Sequence, residues 1–429
     1  MKTYYNPAPG RWNSLCTRHT AGNADITRAV KRIIKRVRHD GDNALKALSM
    51  EIDGIDTSVL QAGPEDFAEA EAAVSEKVKT AIGNAKANIE AFHRAQLPDP
   101  VCVRTAPGVR CCQRPVPIQK VGLYIPGGTA PLFSTVLMLA VPAKVAGCPQ
   151  IILCTPASRQ TGRIAPEVLY AAQVCGIDKV FKVGGAQAIA AMAYGTESIP
   201  AVDRIFGPGN RFVTTAKQFV SGTVTSVDMP AGPSEVMVLA DSTSDPSFIA
   251  ADLLSQAEHG PDSQVMLVCD SKPLADEVER QISVQLERLS RKTFAQKALV
   301  KSRCIVFTSD DSRDRMTAFA NMYAPEHLII STSNPWDIAD RITAAGSVFI
   351  GKWSPESAGD YASGTNHTLP TSGWARSFSG VNIDCFIRKI TYQELSRKGL
   401  SNLSDTIVDM AEAEGLQAHA NAVKIRLGK

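Results

Sequence analysis

The sequence has little that would direct the chain to a membrane or a nucleic acid. Its 46 basic and 43 acidic residues leave a net charge of +3 over 429 residues, so neither nucleic acid nor an anionic membrane is expected as a partner. Residues 1–11 lack the basic start and apolar run of a secretory signal. Pro131, Pro142 and Lys144 interrupt the most apolar stretch, which falls short of the roughly 18 residues that cross a bilayer. We therefore expect a cytoplasmic protein.

The cysteines also lack an ordered pattern. All ten are scattered along the chain and none forms a CxxC pair, so the spacing typical of thiolate metal sites is missing. A large chain without a secretory signal normally keeps its thiols reduced. We therefore expect reduced and mostly buried cysteines, and we assign no role to the adjacent Cys111 and Cys112.

The composition is that of a globular protein, with 44% hydrophobic and 21% charged residues. The length exceeds what a single hydrophobic core accommodates, which predicts two or three domains. Apolar residues recur at helical spacing from Asp25, and a second helical run extends from Pro64 to about Gln96. We expect residues 1–118 to form a helical region that packs on the second of the two α/β domains described next.

After Pro115 short apolar runs alternate with helical segments, which is typical of parallel sheets covered by helices. The first series of strands is predicted at 121–125, 151–154, 180–183 and 204–206. The second is predicted at 235–239, 264–269, 304–307, 327–330 and 347–350. The predicted fold is α/β, with two tandem doubly wound, incomplete Rossmann-like domains (119–230 and 231–377), the helical N-terminal region and a small helical C-terminal appendage (378–429).

Glycine-rich turns follow several strands of the first series, although none is a GxGxxG with a ribose-binding acid downstream. The turns are Tyr124-Ile-Pro-Gly-Gly-Thr, Gly184-Gly-Ala-Gln187 and Gly207-Pro-Gly-Asn210. Any one of them is compatible with a tight turn and close helix–sheet packing. Three at the carboxyl ends of one sheet favour a nucleotide-sized ligand, because free backbone N–H groups and helix dipoles meet there.

Four of the seven histidines have unusual neighbours, whereas His19, His39 and His93 are expected to be surface or structural residues. Gln256 and His259 are three residues apart at the end of a helical run, so they face one point. A metal is one explanation of this spacing, although glutamine is a poor zinc ligand.

Glu326 and His327 are adjacent at the start of a strand. They are either two proton acceptors that titrate in different ranges or a buried structural pair, and the residues alone leave both interpretations open. The segment 354–367 contains two carboxylates and a histidine in a loop rich in glycine and serine, which favours a functional loop. His419 follows Glu414 by five residues and alone would be an ordinary surface histidine.

Together these segments closely resemble histidinol dehydrogenase, from the helical N-terminus almost to Lys429. The matching blocks are VGLYIPGGTAPLFSTVLMLAVPAKVAGC, FGPGNRFV, DMPAGPSEV, DLLSQAEHGPDSQ, YAPEHLI and SPESAGDYASGTNH. The resemblance implies one zinc ion per subunit, and the first α/β domain becomes the NAD-binding domain and the second the zinc and catalytic domain. The implied zinc ligands are Gln256, His259, Asp360 and His419.

The resemblance also implies the remaining site residues. The catalytic pair is Glu326 and His327, and His367 lines the site. Substrate contacts are implied for Ser234, His327 and Glu414 together with the zinc ligands, and cofactor contacts for Tyr124, Gln187 and Asn210.

The implied reaction converts L-histidinol, water and two NAD to L-histidine and two NADH through a bound L-histidinal. The implied assembly is a homodimer in which the C-terminal histidine reaches the neighbouring subunit's site, and the appendage 378–429 is its dimerisation segment. Two alternatives stay open: a related dehydrogenase acting on another hydroxylated compound, and a zinc hydrolase with Glu326 as the base. Retention of Glu414 and His419 argues against the first, and the three glycine-flanked cofactor positions argue against the second.

Overall fold

The structure is a computed structural model that describes residues 1–18, 24–127, 131–229 and 232–429. His19, together with Gly128 and Thr129 of the first glycine-rich turn, lies outside the described residues. The strands are β1 (Lys2–Tyr5), β2 (Val101–Ala106), β3 (Val109–Pro117), β4 (Lys120–Tyr124), β5 (Gln150–Thr155), β6 (Val180–Lys182), β7 (Arg204–Phe206), β8 (Ser226–Val227), β9 (Glu235–Ala240), β10 (Gln264–Cys269), β11 (Arg303–Val306), β12 (His327–Ser331), β13 (Ser347–Ile350) and β14 (Ile387–Leu395).

The helices cover the two larger sheets and form the C-terminal end of the chain. They are α1 (Trp12–Leu15), α2 (Ala24–Leu48), α3 (Pro64–Ala73), α4 (Glu76–Arg94), α5 (Phe133–Val145), α6 (Pro166–Val174), α7 (Gly185–Tyr194), α8 (Arg211–Ser221), α9 (Pro246–Ala257), α10 (Lys272–Leu286), α11 (Lys292–Lys301), α12 (Ser312–Tyr323), α13 (Pro335–Ala339), α14 (Glu356–Tyr361), α15 (Arg397–Ala413) and α16 (Gln417–Leu427). In the described part of the chain, no helix is both long and apolar enough to cross a membrane.

Two parallel sheets form the body of the molecule, which confirms the predicted α/β class. The first sheet has the strand order β6-β5-β4-β7-β8, and the second has the order β1-β11-β10-β9-β12-β13. All pairings within them are parallel. Central strands such as β9 and β10 are buried along their whole length, because helices cover both faces of each sheet. The predicted strands agree with the observed bounds to within one residue.

The N-terminal region differs from the prediction. Its first strand, β1, joins the edge of the second sheet beside β11. Its longer helices pack on the first sheet's domain, with α2 against α7 and α8, α3 against α6, and α4 against α5, whereas α1 lies in the core of the second sheet. The expectation that this region packs on the second domain was therefore wrong for α2, α3 and α4. Val30 and Ile33 of α2 share a core with Ile189 of α7, and an apolar stripe identifies a buried face without identifying the sheet that it covers.

A third sheet, antiparallel with the order β14-β3-β2, was not predicted. Its strand β14 is exposed at every position after Ile387, so it lacks the alternation of buried and exposed residues that marks most strands. The appendage 378–429 is consequently a long strand followed by two helices rather than helices alone. Cys102 and Cys112 face each other across β2 and β3 and form a disulfide, which corrects the expectation of reduced cysteines for this pair.

The carboxyl edge of the first sheet faces the amino edge of the second. Helix α5, which follows β4, meets the loop after α14: the Asn366 Nδ2 donates to the Met138 carbonyl at 2.6 Å, and the His367 Nε2 lies 3.1 Å from Thr135 Oγ1. The Nδ1 of the same histidine lies 3.0 Å from the carbonyl oxygen of Asp360. The predicted residues His259, His327 and Asp360 lie next to these contacts.

Candidate functional site

His327 is the first residue of β12 and is buried at the amino edge of the second sheet. Its Nδ1 lies 3.2 Å from the backbone carbonyl oxygen of Glu235, which can only accept a hydrogen bond. Nδ1 therefore carries the ring hydrogen in the neutral form, and Nε2 keeps a free lone pair. Within the described residues Nε2 has no hydrogen-bond partner, and Asp360 Oδ1 is 3.7 Å away. The ring is thus arranged to accept a proton at Nε2.

Glu326 immediately precedes β12, and its Oε2 lies 3.7 Å from the His327 Nδ1. The same oxygen accepts a hydrogen bond from the Glu235 backbone N–H at 2.8 Å. Burial raises the pKa of Glu326 well above its usual range, and burial lowers the pKa of His327 to about 3. Burial disfavours the charged form of each group, so the imidazole is neutral, and a divalent cation bound beside the pair would favour the ionised form of Glu326.

Helices α9 and α14 bring a group of metal-ligand atoms together next to this pair. Ligand atoms of His259, Glu356 and Asp360 all lie within 4.8 Å of one another. Glu356 and Asp360 are one turn apart in α14, and Gln256 lies in the last turn of α9, just before His259. The Gln256 amide lies against the Glu356 carboxylate, where only its nitrogen can donate. Helical spacing places these side chains on one side of each helix, and the two helices are in contact. The side chains therefore point to one place.

The charge of this group fits a divalent cation. Burial, followed by the charges of Asp360 and Glu326, raises the pKa of Glu356 well above its usual range. Burial also raises the pKa of Asp360 to about 7. A bound divalent cation would favour the ionised carboxylates, and zinc accepts imidazole nitrogen and carboxylate oxygen as ligands. The residues present therefore fit the zinc ion that the sequence resemblance implied.

The C-terminal candidates lie elsewhere in the single chain. His419 on α16 and Glu414 at the end of α15 are exposed. Neither belongs to the group of metal-ligand atoms that the described residues form around α14. Ser234 is half-buried directly before β9. One chain thus brings the predicted catalytic pair and three of the predicted metal ligands together, but not the two C-terminal residues.

The glycine-rich turns lie at the carboxyl edge of the first sheet. Tyr124 ends β4, and its hydroxyl accepts from the Gly185 N–H at 3.1 Å. Gly207 has a φ of +131°, and a Cβ there would overlap the Tyr124 carbonyl oxygen, so this turn requires glycine. Gln187 is 1% exposed and its Nε2 has no partner among the described residues. Asn210 is exposed at the start of α8. An unpaired amide donor beside two helix N-termini suits an anionic ligand.

His367 connects the two edges of the cleft. Its Nδ1 and Nε2 are held by the Asp360 carbonyl oxygen and the Thr135 hydroxyl respectively, and burial lowers its pKa to about 4. Because both ring nitrogens are engaged, the ring orients the α14 loop against α5.

Two residues of the site were not predicted. Glu356 belongs to the metal-ligand group, and its spacing of four from Asp360 on one helix would have identified it. Glu235 holds both members of the predicted catalytic pair through its backbone. No local pattern marks Glu235, because its partners lie 91 and 92 positions away along the chain.

Comparison with known proteins gives consistent matches over the whole chain. The family described as histidinol dehydrogenase matches residues 16–427. A histidinol dehydrogenase from Bacteroides thetaiotaomicron is 52% identical over 427 residues, covering 100% of this chain and 99% of that protein. One from Vibrio vulnificus is 54% identical over 408 residues, covering 95% and 93%. The crystal structure of histidinol dehydrogenase from Elizabethkingia anophelis is similar with a TM-score of 0.96 and 47% identity, covering 100% of this chain and 98% of that one.

Proposed function

The chain belongs to the histidinol dehydrogenase family and is an NAD-dependent oxidoreductase that acts on an alcohol and then on an aldehyde. We propose that the cleft around His327 is its catalytic centre. The observation that carries this proposal is the free Nε2 of His327, which lies 3.7 Å from Asp360 of the metal-ligand group, while Nδ1 of the same ring lies 3.7 Å from the buried carboxyl of Glu326. The substrate is L-histidinol, the product L-histidine, and L-histidinal stays bound between the two oxidations.

Gln256, His259 and Asp360 hold one zinc ion per subunit, with His419 of a second copy of the chain as the fourth ligand. The convergence of α9 and α14 and the uncompensated carboxyl groups support this ligand set. When bound, zinc would help to hold the substrate in register and would have no redox role. Ser234 and Glu414 complete the substrate contacts.

His327 accepts the proton of the substrate hydroxyl at Nε2, since hydride leaves an alcohol carbon only as the O–H proton is removed. The hydrogen bond from Nδ1–H to the Glu235 carbonyl keeps the ring in the tautomer that this step needs. Burial keeps the imidazole neutral before the reaction.

Glu326 activates the water that hydrates the aldehyde, because the second oxidation requires a hydrate from which hydride can leave. Its hydrogen bond from the Glu235 N–H fixes one carboxyl oxygen and leaves the other for the water. The buried cleft also keeps the reactive aldehyde away from bulk solvent.

Tyr124, Gln187 and Asn210 would hold NAD at the carboxyl edge of the first sheet, where it would supply the hydride acceptor for each oxidation. The unpaired amide of Gln187 and the N-termini of α7 and α8 support this location. That edge faces the amino edge of the second sheet, so a cofactor there would project towards His327 across the cleft.

The first experiment measures NADH formed from limiting L-histidinol with excess NAD. We expect two NADH per histidinol, loss of activity with a chelator, and recovery with zinc. One NADH per histidinol would indicate a simple alcohol dehydrogenase, and none from zinc-loaded protein would indicate a different hydroxylated substrate. Asp360→Asn should lower the bound zinc, whereas the exposed Asp340→Asn should leave it unchanged.

The shared site implies a homodimer, which a mixing experiment tests. His419→Ala and Asp360→Ala should each be inactive alone. After the subunits are exchanged, half the dimers are mixed and each contains one intact site, so about a quarter of wild-type activity should return. No recovery, with exchange verified by mass spectrometry, would show that His419 serves its own chain, and full activity of His419→Ala alone would show that His419 has no role.

A further inference from the structure

Glu235 occupies a central position behind the catalytic pair. It is the first residue of β9, which lies between β10 and β12 in the second sheet. Its backbone N–H donates to Glu326 Oε2 at 2.8 Å, and its backbone carbonyl lies 3.2 Å from His327 Nδ1. The two groups proposed to move protons are therefore both held by one peptide segment.

The side chain of Glu235 is held just as firmly on the opposite side. Arg18 forms a two-pronged ion pair with it, from Nε to Oε1 and from Nη2 to Oε2, both at 2.9 Å. The Ser372 backbone N–H adds a third bond to Oε1 at 3.1 Å. The Glu235 side chain is 2% exposed and that of Arg18 is 14% exposed, so the pair is shielded from water.

Arg18 is itself fixed in place. Its guanidinium lies over the ring of Tyr323 at 3.7 Å, and its Nη2 donates to the Tyr323 carbonyl at 2.8 Å. The segment that carries Arg18 is tied to the second sheet by Arg303, whose Nη1 donates to the Leu15 carbonyl at 2.6 Å and to the Thr17 carbonyl at 3.1 Å. Trp12 and Leu15 of the same segment are buried in the core beneath that sheet.

A buried ion pair contributes little net stability, because the cost of removing two charges from water offsets their attraction. An apolar pair could fill the same space behind β9, so stability alone does not account for a charged pair there. The ion pair supplies a directional constraint. A planar guanidinium bound to both carboxylate oxygens fixes the position of Glu235, which apolar contact does not.

We propose that Arg18 and Glu235 are positioning residues that orient Glu326 and His327 for proton transfer. The pair fixes Glu235, the first residue of β9, whose backbone N–H aims the Glu326 carboxyl and whose backbone carbonyl keeps the hydrogen of His327 on Nδ1. A shift of about 1 Å in a reacting group lowers rates by roughly 100-fold, so a clamp of this kind acts on kcat. The inference rests on the proposed roles of Glu326 and His327.

The experiment compares Arg18→Met, Arg18→Lys and the double variant Arg18→Met/Glu235→Gln in the intact, zinc-loaded enzyme. The readouts are kcat, KM for histidinol, bound zinc and the melting temperature. Asp66→Asn serves as the control, because Asp66 forms a partly buried ion pair with Lys182 at 3.1 Å in the other α/β domain. It should lower the melting temperature and leave kcat unchanged.

Arg18→Met leaves an unpaired buried carboxylate, so we expect a lower melting temperature and a kcat about 10- to 100-fold lower, with KM and zinc content within about twofold. Arg18→Lys retains the charge but loses the two-pronged geometry and should fall between Arg18→Met and wild type. The double variant removes the unpaired charge, so its melting temperature should recover while kcat stays low. That separation distinguishes positioning from a structural role.

Recovery of kcat together with the melting temperature in the double variant would overturn the proposal. A wild-type kcat in folded Arg18→Met, or a change in KM alone, would do the same. Glu326→Gln and His327→Gln are measured in parallel. If these two retain full activity, the proposed function of the pair is wrong; if they lose activity while the Arg18 variants do not, only the positioning inference fails.

Discussion

Replacing Glu326 by Gln should separate the two oxidations. Glutamine has the same shape and keeps an oxygen that can accept the Glu235 N–H, which the carboxylate accepts at 2.8 Å. The exchange changes a charge-assisted hydrogen bond to a neutral one, which costs about 1 kcal/mol of stability. The fold and the tautomer of His327 should survive, so any larger effect on rate reports proton transfer.

The magnitude follows from what a general base contributes. A positioned acid–base group accelerates its step by roughly 100- to 10,000-fold, which corresponds to about 3 to 5 kcal/mol of activation free energy. Aldehyde oxidation should slow by that factor, because an amide cannot take a proton from water. Alcohol oxidation should stay within about threefold of wild type, because its proton goes to His327.

The assay follows NADH formation after rapid mixing of enzyme, NAD and L-histidinol. Glu326→Gln should form one NADH per active site quickly and the second slowly, and added L-histidinal should be oxidised slowly. His327→Gln should lose the fast first phase, and Glu76→Gln, at a residue whose side chain is 88% exposed, should match wild type. An equal loss of both phases in Glu326→Gln would refute the division of roles between the two residues.

Asn210→Ala removes the N-terminal cap of α8, where the amide oxygen accepts hydrogen bonds from two backbone N–H groups. The free energy of unfolding, measured by denaturant titration, should fall by roughly 1 kcal/mol, and KM for NAD should rise. Ser271→Ala, at the cap of α10 in the other α/β domain, should lower stability by a similar amount and leave KM for NAD unchanged. A rise in KM for NAD in both variants would contradict the cofactor assignment. Burial lowers the pKa of His93 below its ordinary value, so the unfolded chain takes up a proton first and stability should decline as pH falls below about 6.5. His93→Gln should flatten that decline in melting temperature, while the exposed His39→Gln should not; an unchanged slope in both would disprove the linkage.

Local patterns in the sequence were enough for the α/β class and for the strands of the two parallel sheets. Buried strands such as β9 and β10 are continuous apolar runs, and such runs are visible without knowledge of the partner strand. Helical spacing likewise grouped Gln256 with His259, and the same rule would have grouped Glu356 with Asp360. The specific roles of Gln256, His259 and Asp360 came from the family resemblance, since spacing alone offered a metal only as one explanation for Gln256 and His259.

Only the tertiary structure decided how distant segments meet. It placed β1 in the second sheet, α2, α3 and α4 on the first, and β14 in an antiparallel sheet whose exposed strand has no apolar pattern. It also showed that the proposed catalytic pair lies at the amino edge of its own sheet, facing the carboxyl edge of the other. Arg18 and Glu235 are 217 positions apart, and no sequence pattern around either residue predicts their contact. Periodicity records which side of an element is buried, whereas the partner on that side is selected by packing and charge complementarity across the folded chain.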